Sequence, residues 1–481
     1  MVAYRVAMKE YDLIAIGTGS AMNIVSAMVQ RNPQMKAAVI DKDEPGGICL
    51  TRGCIPSKML LYPADLIRTI DSAGKFGIDI DVKEVDFQRV MERMRSAIQK
   101  DIDMIRRGLS HSENIDYYPT PAEFVGPYKL KVSNQTISSK MILLCTGSKP
   151  TVPPIKGLED AGYLTSDTFL QMTRLPQRIA LIGGGYIAAE YGHFLSAMGS
   201  TVTVIGRNPQ FLKQEEPEIS ALAKQELEKH MTILTNHEVK EVQKTSTGKK
   251  LIAVNRADGA QVAIDTDEVL VATGRSPNTD LLHPEKAGID TDKNGWIIVD
   301  DYLESSQPNI WAFGDANGKH LFKHVANYES QIVYYNAVLK KRVKADYHAI
   351  PHAIFAYPEI GSVGLRERES IERYGADNVL IGFHKYENTA KGEAMAVRDY
   401  FVKVIVKRYD LRILGAHIIG PHASVLIQEV VNLMYTETQN ITPITQGMHI
   451  HPALNEVVER AFRSLMEPAH YHHIQEGHAH S

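Results

Sequence analysis

The chain has 481 residues, 44% of them hydrophobic and 23% charged, a composition that excludes collagen-like, disordered and disulfide-scaffold proteins. At roughly 150 residues per domain the length suggests about three domains, with cores large enough to need no disulfides. Lys and Arg total 53 against 57 Asp and Glu, a net charge of −4, so no global basic field attracts nucleic acid.

In chain order, YDLIAIGTGSAMNIVSAM reads as a buried strand from Leu13 to Ile16, a glycine turn and a helix. A second strand, Ala37 to Ile40, ends at Asp41 and completes a βαβ start. From Phe87, the apolar positions Val90, Met91, Met94, Ile98, Ile102, Ile105 and Leu109 recur by threes and fours. This spacing predicts a long amphipathic helix with Asp86 as its N-cap. β-rich sequence follows and closes on MILLCTGSKP. Near Pro176 the pattern restarts with RIALIGGGYIAAEYGHF and TVTVIGR, closing on EVLVATGRSPNTDLL. Both units end in an apolar strand followed by Thr-Gly-x-x-Pro, an internal duplication of architecture. After NIWAFGDANG, a last region from about residue 347 mixes alternating segments (FVKVIVKRYD, ILGAHIIG) with helices (ASVLIQEVVNLMY, LNEVVERAFRSLM). The final HYHHIQEGHAHS carries five of the 19 histidines and reads as an unstructured tail. The longest apolar runs are strand-sized, far from the roughly 18 residues of a membrane span. The opening MVAYRVAMKEYD has no signal-peptide core, so a cytoplasmic protein is expected.

Gly17 permits the first tight turn, and Gly19 lets the backbone approach a pyrophosphate at a helix N-terminus, where free N–H groups and the dipole favour anions. The sixth position is Met22, where Gly or Ala is usual. Asp41, 24 residues after Gly17, is placed to hydrogen-bond a ribose hydroxyl. The second turn, Gly183-Gly184-Gly185-Tyr186-Ile187-Ala188, is a full GxGxxA. The same count from Gly183 reaches Arg207 instead of an acid, and Lys213 follows. A carboxylate there would repel a 2′-phosphate, whereas Arg clasps one with paired N–H donors. This site therefore reads as preferring NADPH to NADH.

Of only three cysteines, Cys49 and Cys54 stand five positions apart in GGICLTRGCIPSK, at a helix start. Two sulfurs at that spacing can meet, and a helix N-terminus favours a thiolate. No second pair exists to complete a zinc site, and no metal is assigned. Cys145, in an apolar strand, reads as a buried, unreactive thiol.

This stretch resembles the redox loop of the class I flavin-dependent pyridine nucleotide–disulfide oxidoreductases, and the motifs follow in family order over about residues 10 to 465. The resemblance implies an α/β fold of two Rossmann-like dinucleotide-binding domains and a C-terminal α+β dimerisation domain. Residues 1–155 and 281–346 would form the FAD-binding part, 156–280 the NAD(P)-binding domain, 347–467 the dimerisation domain and 468–481 the His-rich tail. FAD would be held by Gly17, Gly19, Ser20, Asp41, Thr146, Gly147 and Asp315, the last in WAFGDA. NADP, or NAD, would be held by Gly183, Gly185, Tyr186, Ile187, Arg207, Lys213 and Gly274. Cys54 would stand next to the flavin as a charge-transfer thiolate, and Cys49 would be the interchange thiol. Lys58 and Glu190 match a family ion pair beside the flavin N5, and Tyr186 resembles a gate over the nicotinamide pocket. HIHPALNEVVERA resembles the family His-Pro-x-x-x-Glu motif. His451 would be the general acid–base and Glu456 its orienter, reaching the other subunit's active site in a homodimer. Ile48, in place of a usual Thr, and Arg52, in place of a small apolar residue, depart from the pattern. A mercuric reductase is disfavoured because no cysteine pair lies near the C-terminus. The expected activity is NADPH-dependent reduction of a small disulfide, as in mycothione or glutathione reductase. The alternatives are oxidation of dihydrolipoamide with NAD, as by a subunit of a 2-oxoacid dehydrogenase complex; a docking subunit whose main role is to sit in a multienzyme complex, which no lipoyl-type or linker segment supports; and a metal-handling role for the tail.

Overall fold

The structure, a computed structural model, describes residues 8–479; residues 1–7 of the opening segment and His480 and Ser481 of the tail lie outside the described residues. β1 (Leu13–Ile16) leads through α1 (Ala21–Arg31) to β2 (Ala37–Ile40), as the βαβ reading expects. Every residue of both strands is buried, because a parallel sheet is covered on both faces. The redox loop folds as α2 (Gly47–Thr51) and the start of α3 (Cys54–Asp71). The amphipathic helix is α4 (Phe87–Ser110), and the Asp86 carboxylate accepts from the Arg89 N–H as its N-cap. Its stripe of Phe87, Met91, Met94, Ile98 and Ile102 packs into one core with Leu60 and Leu61 of α3, while Val90 and Ile105 are only partly buried.

Two parallel sheets repeat one plan. The first takes β3 (Ile115–Tyr118), β4 (Ile142–Leu144) and, from later in the chain, a strand at Ile310–Ala312. The second comprises β5 (Leu164–Thr165), β6 (Arg178–Ile182), β7 (Thr201–Ile205), β8 (Thr232–Leu234) and β9 (Glu268–Val271), with α5 (Tyr186–Met198) after β6 and α6 (Pro217–Leu227) after β7. With Ile310–Ala312 as β10, the orders are β10-β4-β1-β2-β3 and β5-β9-β6-β7-β8. Each glycine-turn strand, β1 or β6, therefore lies between the strand that follows it and the strand that ends in Thr-Gly-x-x-Pro. The duplication read from sequence is a duplication of topology.

α7 (Lys323–Val333) leads to a six-stranded antiparallel sheet. Its strands are β11 (Pro351–Ile354), β12 (Ile360–Gly364), β13 (Val379–Lys385), β14 (Phe401–Lys407), β15 (Ile413–Ile419) and β16 (Leu465–Met466). α8 (Ala423–Met434) and α9 (Glu456–Arg463) pack on it. The tail corrects an expectation: Pro468–Ala479 is a helix, α10, not an unstructured segment. Tyr471 is 1% exposed, packs at a tilt against Phe383 and donates to Glu218, and His472 bonds Glu367. A buried phenol with an apolar wall and a carboxylate acceptor anchors a segment whose composition looks solvated.

Candidate active site

The site lies at the carboxyl ends of β1, β4 and β10, in the crevice where the strand order reverses about β1. A cavity of about 690 Å³ opens there. Gly17, Gly19, Ser20, Asp41, Thr146, Gly147 and Asp315 line one side, Cys49, Cys54 and Lys58 another, and Tyr186, Ile187 and Glu190 of α5 a third. Gly17 has φ +106°, and a Cβ there would sit 2.1 Å from the Cys145 carbonyl oxygen, so no side chain fits. A Cβ on Gly47 would meet the Gly19 Cα at 2.6 Å: the redox loop rests on the glycine turn itself. Thr18 ties the two together, accepting the Gly46 N–H and donating to Asp41. Asp41 also accepts the Thr18 and Asp43 N–H groups, so the expected ribose acid braces the turn as well.

Cys49 lies on α2 and Cys54 opens α3; both are free thiols. The neighbouring Cys54 thiol, aided by the Lys323 charge against the effect of burial, brings Cys49 down to about 7. The Cys49 sulfur, with burial, pushes Cys54 up, while Lys58 opposes the rise. Between the two sulfurs these shifts favour the ionised form at Cys49, whereas the family resemblance expects the charge-transfer thiolate at Cys54. Lys58 Nζ reaches both Glu190 oxygens at 2.8 and 2.9 Å, and Glu190 also accepts the Phe355 N–H. Arg52, the departure from the family pattern, pairs with Asp43 and with Asp167. It fastens the turn between the thiols to two neighbouring walls.

Asp315 accepts from the Ser148 hydroxyl, which Arg275 Nε holds at 2.6 Å, and burial pushes its carboxyl up. Behind it stands Glu329, 0% exposed, which accepts the Gly314 N–H, the Asn317 side-chain amide and the Tyr347 phenol. Neither Glu329 nor Arg275 was singled out from sequence. The available signals were an acid within an otherwise apolar helix face and the residue after Gly274.

At the second turn, Gly183 has φ +138° and Gly185 has open space where a Cβ would stand. The Leu212 N–H donates to the Gly184 carbonyl, folding the loop that carries Arg207 and Lys213 back over this turn. Both residues are exposed, and Arg256 donates to the Arg207 carbonyl, adding a third cation. Gly274 bends the facing return at φ +113°. Within one chain His451 and Glu456 do not line the cavity. His451 is 65% exposed, with Nδ1 2.9 Å from a Glu456 oxygen. Glu456 also accepts the Ala453 N–H, and the His451 bond holds it below the usual carboxylate range. Met448 and Ile450 beside it are fully and largely exposed.

The Thr146 hydroxyl is buried in this cavity without a partner. With the glycine cradle and the Asp315 carboxylate, it fits a ligand rich in phosphate and hydroxyl groups, as FAD is.

A family model described as pyridine nucleotide-disulphide oxidoreductase matches residues 11–345, and the dimerisation domain of the same family matches residues 350–462. Mycothione reductase of Mycobacterium tuberculosis is 34% identical over 470 residues, covering 95% of this chain and 100% of the relative. Dihydrolipoyl dehydrogenase of Chlamydia pneumoniae is 32% identical over 471 residues, covering 96% and 99%. The structure of the HOCl-induced flavoprotein disulfide reductase RclA from Escherichia coli, solved as a Cu(II) complex, matches with a TM-score of 0.83 at 26% identity, covering 95% and 99%. The fold is that of the flavoprotein disulfide reductases. The chain belongs to the pyridine nucleotide-disulphide oxidoreductase family, whose members depend on FAD, use NAD(P) and act on sulfur groups. Its dimerisation domain points to a homodimer. No helix among the described residues is long and apolar enough to cross a membrane.

Proposed function

We propose that the protein is an FAD-dependent reductase that takes hydride from NADPH and reduces a low-molecular-weight disulfide through Cys49 and Cys54. The observation that carries this reading is the thiol pair, Cys49 on α2 and Cys54 at the start of α3, both on the wall of the glycine-cradled cavity. FAD, held by Gly17, Gly19, Ser20, Asp41, Thr146, Gly147 and Asp315, supplies the two-electron relay between nicotinamide and thiols. Lys58, fixed by Glu190, keeps a cation beside Cys54. Gly183, Gly185 and Gly274 admit the dinucleotide backbone, Tyr186 and Ile187 border the nicotinamide side, and Arg207 and Lys213 pair with a 2′-phosphate. The 34% identity to a mycothione reductase supports a small disulfide as substrate.

The Cys49 thiolate attacks one substrate sulfur, forming a mixed disulfide as the other sulfur leaves. The partner's His451 protonates the leaving thiolate; Glu456, bonded to Nδ1, leaves Nε2 to carry that proton. Cys54 then attacks Cys49, releasing the second thiol and closing the Cys49–Cys54 disulfide for the next reduction. The scarcity of cysteines suits a cytoplasmic setting. The residue partition 1–155 with 281–346, 156–280 and 347–467 serves FAD, NADPH and dimer contacts respectively.

The test is steady-state turnover of the holoenzyme with NADPH or NADH against glutathione disulfide, cystine, coenzyme A disulfide, mycothiol disulfide and lipoamide. The expected result is a preference of about tenfold or more for NADPH and turnover of one soluble disulfide. A preference for NADH with lipoamide would instead favour the second reading, a dihydrolipoamide dehydrogenase, which the 32% identity to that enzyme supports.

A further inference from the structure

We propose that Glu215, gripped by His352, is a positioning residue that holds in place the two cations reading the 2′-phosphate of NADPH. This rests on the NADPH reading above. Arg207 and Lys213 are exposed and six residues apart in the loop between β7 and α6. The backbone of that loop decides whether the two converge on one phosphate. The loop turns its cations outward and its next acid inward: Phe211 and Leu212 are buried, and Glu215 is 2% exposed. Leu212 takes a left-handed φ of +49°, a conformation that costs energy for leucine and that the surroundings must hold. The Glu215 N–H donates to the Leu212 carbonyl at 2.9 Å, and the Gln210 side-chain amide donates to the Glu215 carbonyl at 3.1 Å. Lys213 therefore sits inside a turn that Glu215 closes.

The antiparallel unit holds this acid from the far side. One Glu215 oxygen meets His352 Nε2 on β11 at 2.7 Å, and the other accepts the Ser362 hydroxyl on β12 at 2.7 Å. Burial would raise the carboxyl, but these bonds outweigh it and hold the group below the usual carboxylate range. A charged carboxylate with both oxygens bonded to one neighbouring unit is fixed in direction as well as distance. Beside it, Arg366 donates to the Lys213 carbonyl at 3.2 Å. His352 is itself held in plane. Its ring lies within 8° of parallel to Phe322, which lies within 12° of parallel to His324, and all three line the cavity. β11 thus serves both ends of the dinucleotide site. His352 grips the loop for the 2′-phosphate, and Phe355, the residue after β11, gives its N–H to Glu190 at 3.0 Å on the nicotinamide side.

The experiment is stopped-flow flavin reduction in the holoenzyme, comparing the second-order rate with NADPH against that with NADH, alongside calorimetric binding of adenosine 2′,5′-bisphosphate. His352→Phe keeps a flat ring against Phe322 and removes the donor to Glu215. It should lower the NADPH-to-NADH ratio about fivefold or more and weaken bisphosphate binding to match. His352→Gln keeps an N–H donor at similar reach and should restore both. Should the Phe variant not fold, Glu215→Gln, which keeps the shape and loses the charge, gives the same readout. A merely structural joint would lower the thermal midpoint, or slow both nucleotides alike, so an unmoved ratio overturns the inference. The parent reading fails separately, in the wild type. An enzyme with no preference for NADPH has no 2′-phosphate site for Glu215 to position, and that result overturns both.

Discussion

Two neighbouring thiols make identical side chains unequal. Each acts on the other, so that Cys49 is brought down to about 7 while Cys54 is pushed up. Cys49 reactivity should therefore rise as pH climbs through about 7, and alkylation of the reduced wild-type protein checks this. Glu329 works at the same scale from behind Asp315. In Glu329→Gln one acceptor oxygen becomes a donor facing the Gly314 N–H or the Tyr347 phenol. The variant should bind FAD about tenfold or more weakly, a cost in line with an unmet buried hydrogen bond, read from flavin released on dilution. Glu456→Gln should lower kcat of the dimer by about tenfold or more, with FAD content unchanged, because the imidazole loses the carboxylate that orients it. The thiols were legible because five positions at a helix start bring two sulfurs together. Their surroundings were less so. Lys58 and Glu190 are 132 residues apart, and local spacing says nothing about such a pair.

Helix α4 shows how far periodicity reaches. The apolar stripe and the Asp86 cap are local properties, so its bounds were readable before its neighbours were known. Asp86→Ala should cost about 1 kcal/mol, seen as lower protection from hydrogen exchange in the first turn of α4. Helix α10 shows the opposite. Its histidine-rich sequence carries no apolar stripe, and what docks it is Tyr471 meeting Glu218 on α6, far away in the chain. Tyr471→Ala should abolish exchange protection over 468–479 while leaving α4 unaffected.

At the scale of the molecule, the second parallel unit and the antiparallel unit meet over a buried cation. Lys403 on β14 is 0% exposed and touches Glu216 at 3.1 Å, Glu218 at 2.6 Å and Glu367 at 2.6 Å. These carboxylates come from the start of α6 and from the helix after β12, and Tyr471 and His472 of α10 add to the cluster. Lys403→Met leaves three neighbouring acids without their cation. It should destabilise the protein by about 3–5 kcal/mol, measured as a lower thermal midpoint. Burial would raise the Glu218 carboxyl, but Lys403 outweighs it and holds the group below its usual 4.5. The stability it contributes is therefore full above 4.5 and lost as pH falls below that.

Sequence alone determined what is local or repeated in this protein. It marked two strand–glycine turn–helix units, one amphipathic helix, one cysteine pair at a helix start and a motif set that names the family, because each rests on neighbours a few residues apart. Tertiary structure decided which thiol is the easier to ionise, which acids neutralise which cations and why a polar tail becomes a docked helix. Those outcomes depend on burial and on partners brought together from distant parts of the chain, and neither exists until the sheets have packed.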